Sequence, residues 1–483
     1  MMHGAIIAKS FGRFKRKKLV YGAFVACSFL VLSFCAVFRF RPYLGPSLTL
    51  VNWKGSLNVS IPLAVVENIM AKQEQRCNST VFQSKTSSMT NQLMAENAMK
   101  QREPPCHVMD LRSELYNITG EVRINAKSST VFISSPEKRN LFGGYNSWKI
   151  RPYARNKDLQ AMNHVREWSI IPAFSDVQVP QCTQNHTIAS ILFSTGGYAG
   201  NHFHDFSDII IPLYLTSRPF NGKVQFLISD CRSWWVTKFQ AILQNLSYYP
   251  IINIDQEEDV HCFPSILMGL QRHGELNIDP SKSPYTMRDF REFLRNTYSL
   301  KRRNAVRLRP GDTRKPRLLV ISRKRTRSFT NSTNIAETAE SMGFEVIVAE
   351  ADIHVARFAE IMNSCDVVMG IHGAGLTNVL FLPEGAVMIQ VVPLGGVELV
   401  AKTYFGVPSK EMNIRYLEYK IGTKESTLIE QFPLDHMALK NPYLFHRCNL
   451  EAFKLGYLDK QNVTIDVRRF KPTLLKALEL LHE

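Results

Sequence analysis

The sequence predicts an α/β protein: two tandem strand–helix units, each built on a parallel, doubly wound sheet, facing one another across a cleft behind a membrane anchor and a stem. Three observations carry this. Strand-like apolar runs alternate with helical stripes twice over, from Asn185 to Tyr298 and again from Arg317 to Val392. A basic stretch from Lys301 to Lys315, holding Pro310 and Gly311, separates the two series. An uncharged apolar run, Leu19 to Phe38, stands near the N-terminus of the 483 residues.

The elements follow in chain order. As a helix, Leu19 to Phe38 spans about 30 Å, one bilayer core. Lys9, Arg13, Lys15, Arg16, Lys17 and Lys18 precede it, and only Arg39 and Arg41 follow closely. That excess predicts a cytoplasmic tail over 1–18, an uncleaved anchor over 19–38 and the remainder across the membrane. Residues 39–165 are expected to form a stem and N-terminal extension, with a polar spacer from Lys72 to Arg102 and β-like runs from Val108 to Ile133. Sequons begin at Asn58, Asn78, Asn117, Asn185, Asn245, Asn331 and Asn462, all beyond the anchor. Glycosylation is expected at each except Asn331, which has a competing role. Of the nine cysteines, Cys27 and Cys35 lie in the anchor; the odd number remaining leaves at least one unpaired or intermolecular, and Cys365 is the candidate free thiol. No Cys-x-x-Cys occurs, which argues against a zinc site. A net charge of +17 behind an anchor suits anionic small molecules or an acidic polysaccharide, and no nucleic-acid-binding pattern is present.

The first unit is placed at 166–310. Thr187 to Phe193 reads as a strand, and Asn201 to Ile211 as a helix that Pro212 ends or kinks. Val224 to Ile228 is a strand, Ser233 to Leu243 a helix, Ile251 to Ile254 and Ser265 to Leu270 short strands, and Met287 to Leu300 an amphipathic helix. The second unit, 311–483, closes on a C-terminal helix. It runs strand Arg317–Ser322, helix Asn334–Met342, strand Phe344–Val348, helix Ile353–Ser364, strand Val367–Gly370, a glycine turn with a helix from Leu376, and strand Val387–Val392.

Two turns carry chemistry. In Gly370-Ile371-His372-Gly373-Ala374-Gly375-Leu376-Thr377-Asn378, the glycines let backbone approach a ligand, and a following helix N-terminus suits a phosphate. By spacing alone this is an ordinary strand-to-helix turn. Its partner is Arg323, Arg325 and Arg327, set just past the strand ending at Ser322, where α/β sheets bind ligands. Guanidinium forks match phosphate oxygens, and no Asp-x-Asp metal motif occurs, so an anion held without metal is expected. In the first unit, Gly196 to Gly200 leaves a strand and enters a helix carrying Asn201, His204 and Asp208 on one face. His204 and Asp208, four apart, are hydrogen-bond neighbours, an arrangement that prepares an imidazole to take a proton from an alcohol. Asn201 is expected to be the helix N-cap, and His202 and Asp205 lie on other faces.

Three blocks thus stand in order: Gly200-Asn201-x-x-His204-x-x-x-Asp208; Ser322-Arg323-x-x-x-Arg327-x-x-x-Asn331; and Gly370-x-His372-Gly373-Ala374-Gly375-Leu376-Thr377-Asn378 with Leu382-Pro383-x-Gly385-Ala386. Together they resemble glycosyltransferase family 61, over roughly residues 180 to 475. The tail segments Glu425 to Leu428 and Gln461 to Thr464 look like the plant branch that decorates xylan.

The resemblance implies a GT-B-type pair of Rossmann-like domains, an inverting reaction, and a UDP-pentose donor in the Golgi. Arg323, Arg327 and His372 would meet the pyrophosphate, Gly373, Ala374 and Gly375 would cradle it, and Asn378 and Asn331 would assist or only cap. His204 would face the acceptor with Asp208 behind it. The expected partners are UDP-arabinofuranose or UDP-xylose, a xylan acceptor and the Golgi membrane, with no cofactor, metal or nucleic acid. Assembly as a homo-oligomer or within a xylan synthase complex is left open. Xylosyl transfer to protein N-glycans and a catalytically silent glycan-binding subunit are the competing readings. A dinucleotide-dependent dehydrogenase is excluded, because Gly370-x-x-Gly373-x-Gly375 is the wrong spacing and Gln390 to Pro393 supplies no acid.

Overall fold

The computed structural model describes residues 107–109, 113–134, 147–173, 178–351, 354–442 and 454–482. The expected tail, anchor and polar spacer, with Asn58 and Asn78, lie outside them. Among the described residues no helix is long and apolar enough to cross a membrane.

Ten strands form the first sheet: β1 His107–Met109, β2 Glu114–Asn125, β3 Thr130–Ser134, β4 Trp148–Ile150, β5 Trp168–Pro172, β6 Gln184–Asn185, β7 Ala189–Ser194, β8 Val224–Ser229, β9 Ile252–Asn253 and β10 Val260–Met268. The order is β4-β5-β3-β2-β10-β7-β8-β9, with β1 beside β2 and β6 beside β10. β10, β7, β8 and β9 pair parallel, but β2 is antiparallel to both β10 and β3. The sheet is therefore mixed, where an all-parallel one was expected. The cause lies before residue 166. β2 alternates buried Tyr116, Ile118, Val122 and Ile124 with more exposed neighbours, the pattern of a strand with one face on a core. That face packs with Trp168, Leu192, Leu227 and Phe263. The stretch expected as stem and extension thus supplies central strands, and the boundary expected at 165/166 falls inside this sheet.

The second sheet has five strands: β11 Arg317–Ser322, β12 Glu345–Glu350, β13 Val367–Ile371, β14 Val387–Val392 and β15 Arg415–Lys420. Every pairing is parallel, in the order β12-β11-β13-β14-β15. β13 and β14 are buried along their whole length, as strands covered on both faces must be. The chain leaves β11 to one side for β12 and returns to the other for β13. Loops from the C-terminal ends of β11 and β13 therefore part and leave a crevice.

Among the helices are α1 Leu159–Met162; α2, composed of His202–His204, a π segment Asp205–Ile210 and Ile211–Ser217; α3 Ser233–Lys238; α4 Gln240–Leu246; α5 Met287–Thr297; α6 Ser332–Ser341; α7 Val355–Asn363; and α8 Val467–His482. The helix expected from Leu376 after the glycine turn is present as a 3-10 helix, Ala374–Phe381. One apolar core runs through both units. Phe206 of α2 meets Phe290 of α5 and Phe381 at centroid distances of 6.5 and 6.0 Å. Arg291 of α5, 2% exposed, donates to the carbonyls of Leu380, Leu382 and Met412, which caps the end of the 3-10 helix. α8 lays Phe470, Leu474, Ala477 and Leu481 on the second sheet's core. A disulfide joins Cys182 to Cys262, and among the described residues Cys231 and Cys365 are free, Cys365 buried.

Candidate active site

Pro212 does not end its helix, and the reason shapes the first half of the site. Proline has no N–H to close the ladder. The chain widens into a π turn just before it, and the Ile211 N–H reaches back to Phe206 O. In that turn the Ser207 carbonyl would face Pro212, and Arg272 Nε supplies the missing donor at 3.1 Å. The helix then continues to Ser217. Asn201 caps its start, its Oδ1 accepting from Phe203 N at 3.1 Å.

His204 and Asp208 meet within this helix: Nδ1 of His204 lies 2.8 Å from Asp208 Oδ2. The imidazole is 19% exposed while the carboxylate is fully buried. The same Oδ2 accepts from Arg155 Nε at 2.8 Å and Tyr153 OH at 3.0 Å, and Oδ1 lies 3.5 Å from Arg272 Nη2. Burial alone would raise the Asp208 pKa; the His204 hydrogen bond and the Arg155 charge outweigh it and hold the carboxyl below its usual range. An ionised Asp208 keeps the proton on Nδ1 of His204, and Nε2 has no hydrogen-bond partner among the described residues. Glu275 completes the cluster, 3.1 Å from Arg155 Nη2 and 2.7 Å from Arg272 Nη2. Tyr153, Arg155, Arg272 and Glu275 were not singled out in the sequence. They lie 53 or more residues from Asp208 along the chain, and no local pattern marks them.

The second half sits at the parting of β11 and β13. Arg327 holds φ +51°, which turns its side chain back over the glycine turn, and its Nη1 donates to His372 O at 2.7 Å. Gly373 has φ +151°, and a Cβ there would stand 2.4 Å from Arg323 Nη1 and 2.9 Å from Arg327 Nη1. Only glycine lets the two guanidiniums lie on this backbone. Both side chains are half-buried, and Arg323 Nη1 and Arg327 Nε are sealed from solvent without an acceptor. No carboxylate forms an ion pair with either among the described residues. Burial, with repulsion from Arg323, lowers the Arg327 pKa to about 10. His372 is 8% exposed, and burial followed by the charges of Arg327 and Arg323 pushes its pKa down to about 3. Gln390 Nε2 lies 2.7 Å from His372 Nδ1. Uncompensated cations gathered at a glycine turn form an anion site.

Arg323, Gly375 and Asn378 line a cavity of about 290 Å³, with Ser322, Lys238 and Glu350 among its walls. Ala374 is half-buried beside it. The Asn378 amide is already bonded on both sides: Oδ1 to His202 Nε2 at 3.2 Å, and Nδ2 to Gly375 O at 2.9 Å. His202, on a face of α2 away from His204, thereby ties the first unit to the second. Asp205 takes Gly200 N, Trp235 Nε1 and Lys238 Nζ. Phe203 stands 5.3 Å from His204 and 5.7 Å from Phe405, and Phe405 stands 5.8 Å from His372. A layer of rings thus separates the two histidines. Asn331 stands away from this crevice, its amide clamped on the Ile465 backbone at 2.8 and 3.0 Å. Asn117, Asn185 and Asn245 are exposed, whereas Asn462 is half-buried and accepts from Ser328 N. Among the described residues no His, Cys, Asp and Glu group of three or more is set out as metal ligands.

Known proteins are similar to this chain over most of its length. The family model described as Glycosyltransferase 61 matches residues 208–389. The alpha-1,3-arabinosyltransferase XAT3 of Oryza sativa subsp. japonica is 42% identical over 80% of this chain and 67% of its own length. The beta-1,2-xylosyltransferase XYXT1 of the same plant is 41% identical over 78% of this chain and 84% of its own length. The xylan glycosyltransferase MUCI21 of Arabidopsis thaliana is 33% identical over 79% and 80%.

Proposed function

The chain belongs to glycosyltransferase family 61, and on that premise we propose that it moves a pentose from UDP-arabinofuranose or UDP-xylose onto xylose units of xylan. The carrying observation is the pair of guanidiniums laid on Gly373 with no ion-paired carboxylate among the described residues, beside a buried His372. A bound diphosphate supplies the charge this pocket lacks. The relatives' names, which specify arabinosyl, xylosyl and xylan glycosyl transfer, support the sugar class. In this reading the architecture is GT-B-type: 166–310, together with the strands β1 to β4 that join their sheet, form the acceptor domain and 311–483 the nucleotide-sugar domain. The chain is a single-pass type II Golgi membrane protein with its catalytic part in the lumen.

The chemistry is a direct, inverting displacement. An acceptor hydroxyl attacks the anomeric carbon while His204 Nε2 takes its proton, and Asp208 steadies the imidazolium that forms. The bond from the anomeric carbon to the diphosphate oxygen breaks, and Arg323, Arg327 and His372 stabilise the departing charge. The test is a screen of UDP-arabinofuranose and UDP-xylose on xylo-oligosaccharides and on N-glycans, with product linkage read by NMR. Pentosyl-xylan formed by the wild type and lost in His372→Ala supports the reading. Transfer only to N-glycans overturns the acceptor, and glycan binding without transfer in both forms overturns the enzyme.

A further inference from the structure

A hydrogen-bonded chain crosses three neighbouring strands of the second sheet and ends on His372. From β13 to β14, Gln390 Nε2 lies 2.7 Å from His372 Nδ1. From β14 to β15, Tyr416 OH lies 2.8 Å from Gln390 Oε1 and 3.0 Å from Glu418 Oε2. Gln390 is fully buried, and the parallel register sets Glu418 directly opposite it. Glu418 also faces Lys420 Nζ at 3.5 Å and enters the chain as a carboxylate.

Proton counting decides which way this chain runs. A carboxylate only accepts, and a tyrosine has one proton to give. If Tyr416 gives it to Gln390, Glu418 faces a bare oxygen at 3.0 Å. If Tyr416 gives it to Glu418, the stronger acceptor, the Gln390 amide must donate to the Tyr416 oxygen. A half-turn of that amide exchanges its nitrogen and oxygen with little change in distance. The Gln390 carbonyl then faces His372 Nδ1, which must carry the proton. Among the described residues the charged groups facing the imidazole from elsewhere are Arg323 and Arg327, on the loop after β11, and Phe405 covers it.

We propose that Glu418, acting through Tyr416 and Gln390, holds His372 with its proton on Nδ1 and a bare Nε2, so that His372 becomes a donor to the diphosphate only by taking a proton from solvent as UDP binds. Glu418, Tyr416 and Gln390 are positioning residues. The inference rests on the reading that Arg323, Arg327 and His372 meet the diphosphate. It goes further in making one protein proton part of donor binding. That proton arrives where negative charge develops on the leaving group and departs when UDP leaves.

The test is calorimetric titration of the full chain with UDP near neutral pH, in two buffers of different ionisation enthalpy. The expected result is uptake of about one proton per UDP bound, with affinity falling about tenfold per pH unit as pH rises. In Tyr416→Phe the amide is free to turn its NH₂ to Nδ1, leaving Nε2–H as a ready donor, and proton uptake should fall towards zero while UDP still binds. Glu418→Gln removes the obligate acceptor and should do the same without altering the tyrosine packing. The imidazole ¹⁵N shifts of His372 should move from the Nδ1–H to the Nε2–H pattern in both variants. UDP binding to the wild type without proton uptake, or uptake undiminished in both variants, overturns the inference and leaves the proposed function standing. Failure of UDP to bind the wild type overturns the proposed function itself.

Discussion

The two halves of the site hold similar charges in opposite ways. Around Asp208, two arginines and two carboxylates neutralise one another in a closed, buried set: Arg155 and Arg272 against Asp208 and Glu275. At the glycine turn, Arg323 and Arg327 stand side by side with no ion-paired carboxylate among the described residues; Glu350 and Asp459 act on them only at longer range. The first set is balanced in charge without a ligand, although Asp208 Oδ1 and Arg272 Nη1 lack hydrogen-bond partners, and it fixes an orientation, that of His204. The second is incomplete and gains its missing charge only from something that binds. Burial alone does not identify a binding site, whereas burial of one sign without the other does.

The largest expected effect probes the orienting half. His204→Gln should lower kcat by about 10²–10⁴-fold with little change in KM for the donor sugar. Steady-state kinetics against both substrates check this, and an equal loss in KM would assign His204 to donor binding instead. Next, Asp208→Ala leaves two arginines facing one carboxylate in a sealed space. Denaturant titration should show a loss of about 3–5 kcal/mol. The contrast is sharpest in Arg327→Met, which removes one of two like charges. The unliganded protein should be as stable as wild type or more so, while UDP affinity falls at least about tenfold. Destabilisation by that change would show that the second cluster is compensated after all.

Acid should act on both halves. His202 and His372 are buried with pKa values lowered to about 3, chiefly by burial, and each titrates near its ordinary value of 6.5 when unfolded. The stability each contributes is complete above about pH 6.5 and declines as pH falls towards 3, because the unfolded chain takes the protons first. Melting curves should show a decline of about 1 kcal/mol per histidine per pH unit below 6. The smallest expected effect is Asn378→Ala, which removes the bridge to His202 and should lower stability by about 1 kcal/mol, read by the same method.

Much of the second unit was legible in the chain because its signals are local. β11 and β14 occupy the spans expected for them, since continuous apolar runs are the mark of strands buried on both faces. Gly373 is required by its positive φ and by the arginines lying on it, a need already visible as an invitation for close approach. The i, i+4 spacing of His204 and Asp208 likewise predicts their hydrogen bond. The mixed first sheet was not legible. Nothing local tells β2 that its partner is β10, some 140 residues later. Tyr153 and Arg155 were hidden in what reads as an extension, and Gln390 looks like one more residue of a buried strand.

The sequence by itself determined the strand–helix alternation, the glycine turn, the dyad on one helix and the family likeness, because each depends on residues within a turn or two of one another. Only the tertiary structure decided which charges are paired and which are left bare, how a proline is carried within a helix by a distant arginine, and which atom of His372 is held by its neighbours. Those are properties of packing, where the partner of a buried polar group comes from a remote part of the chain.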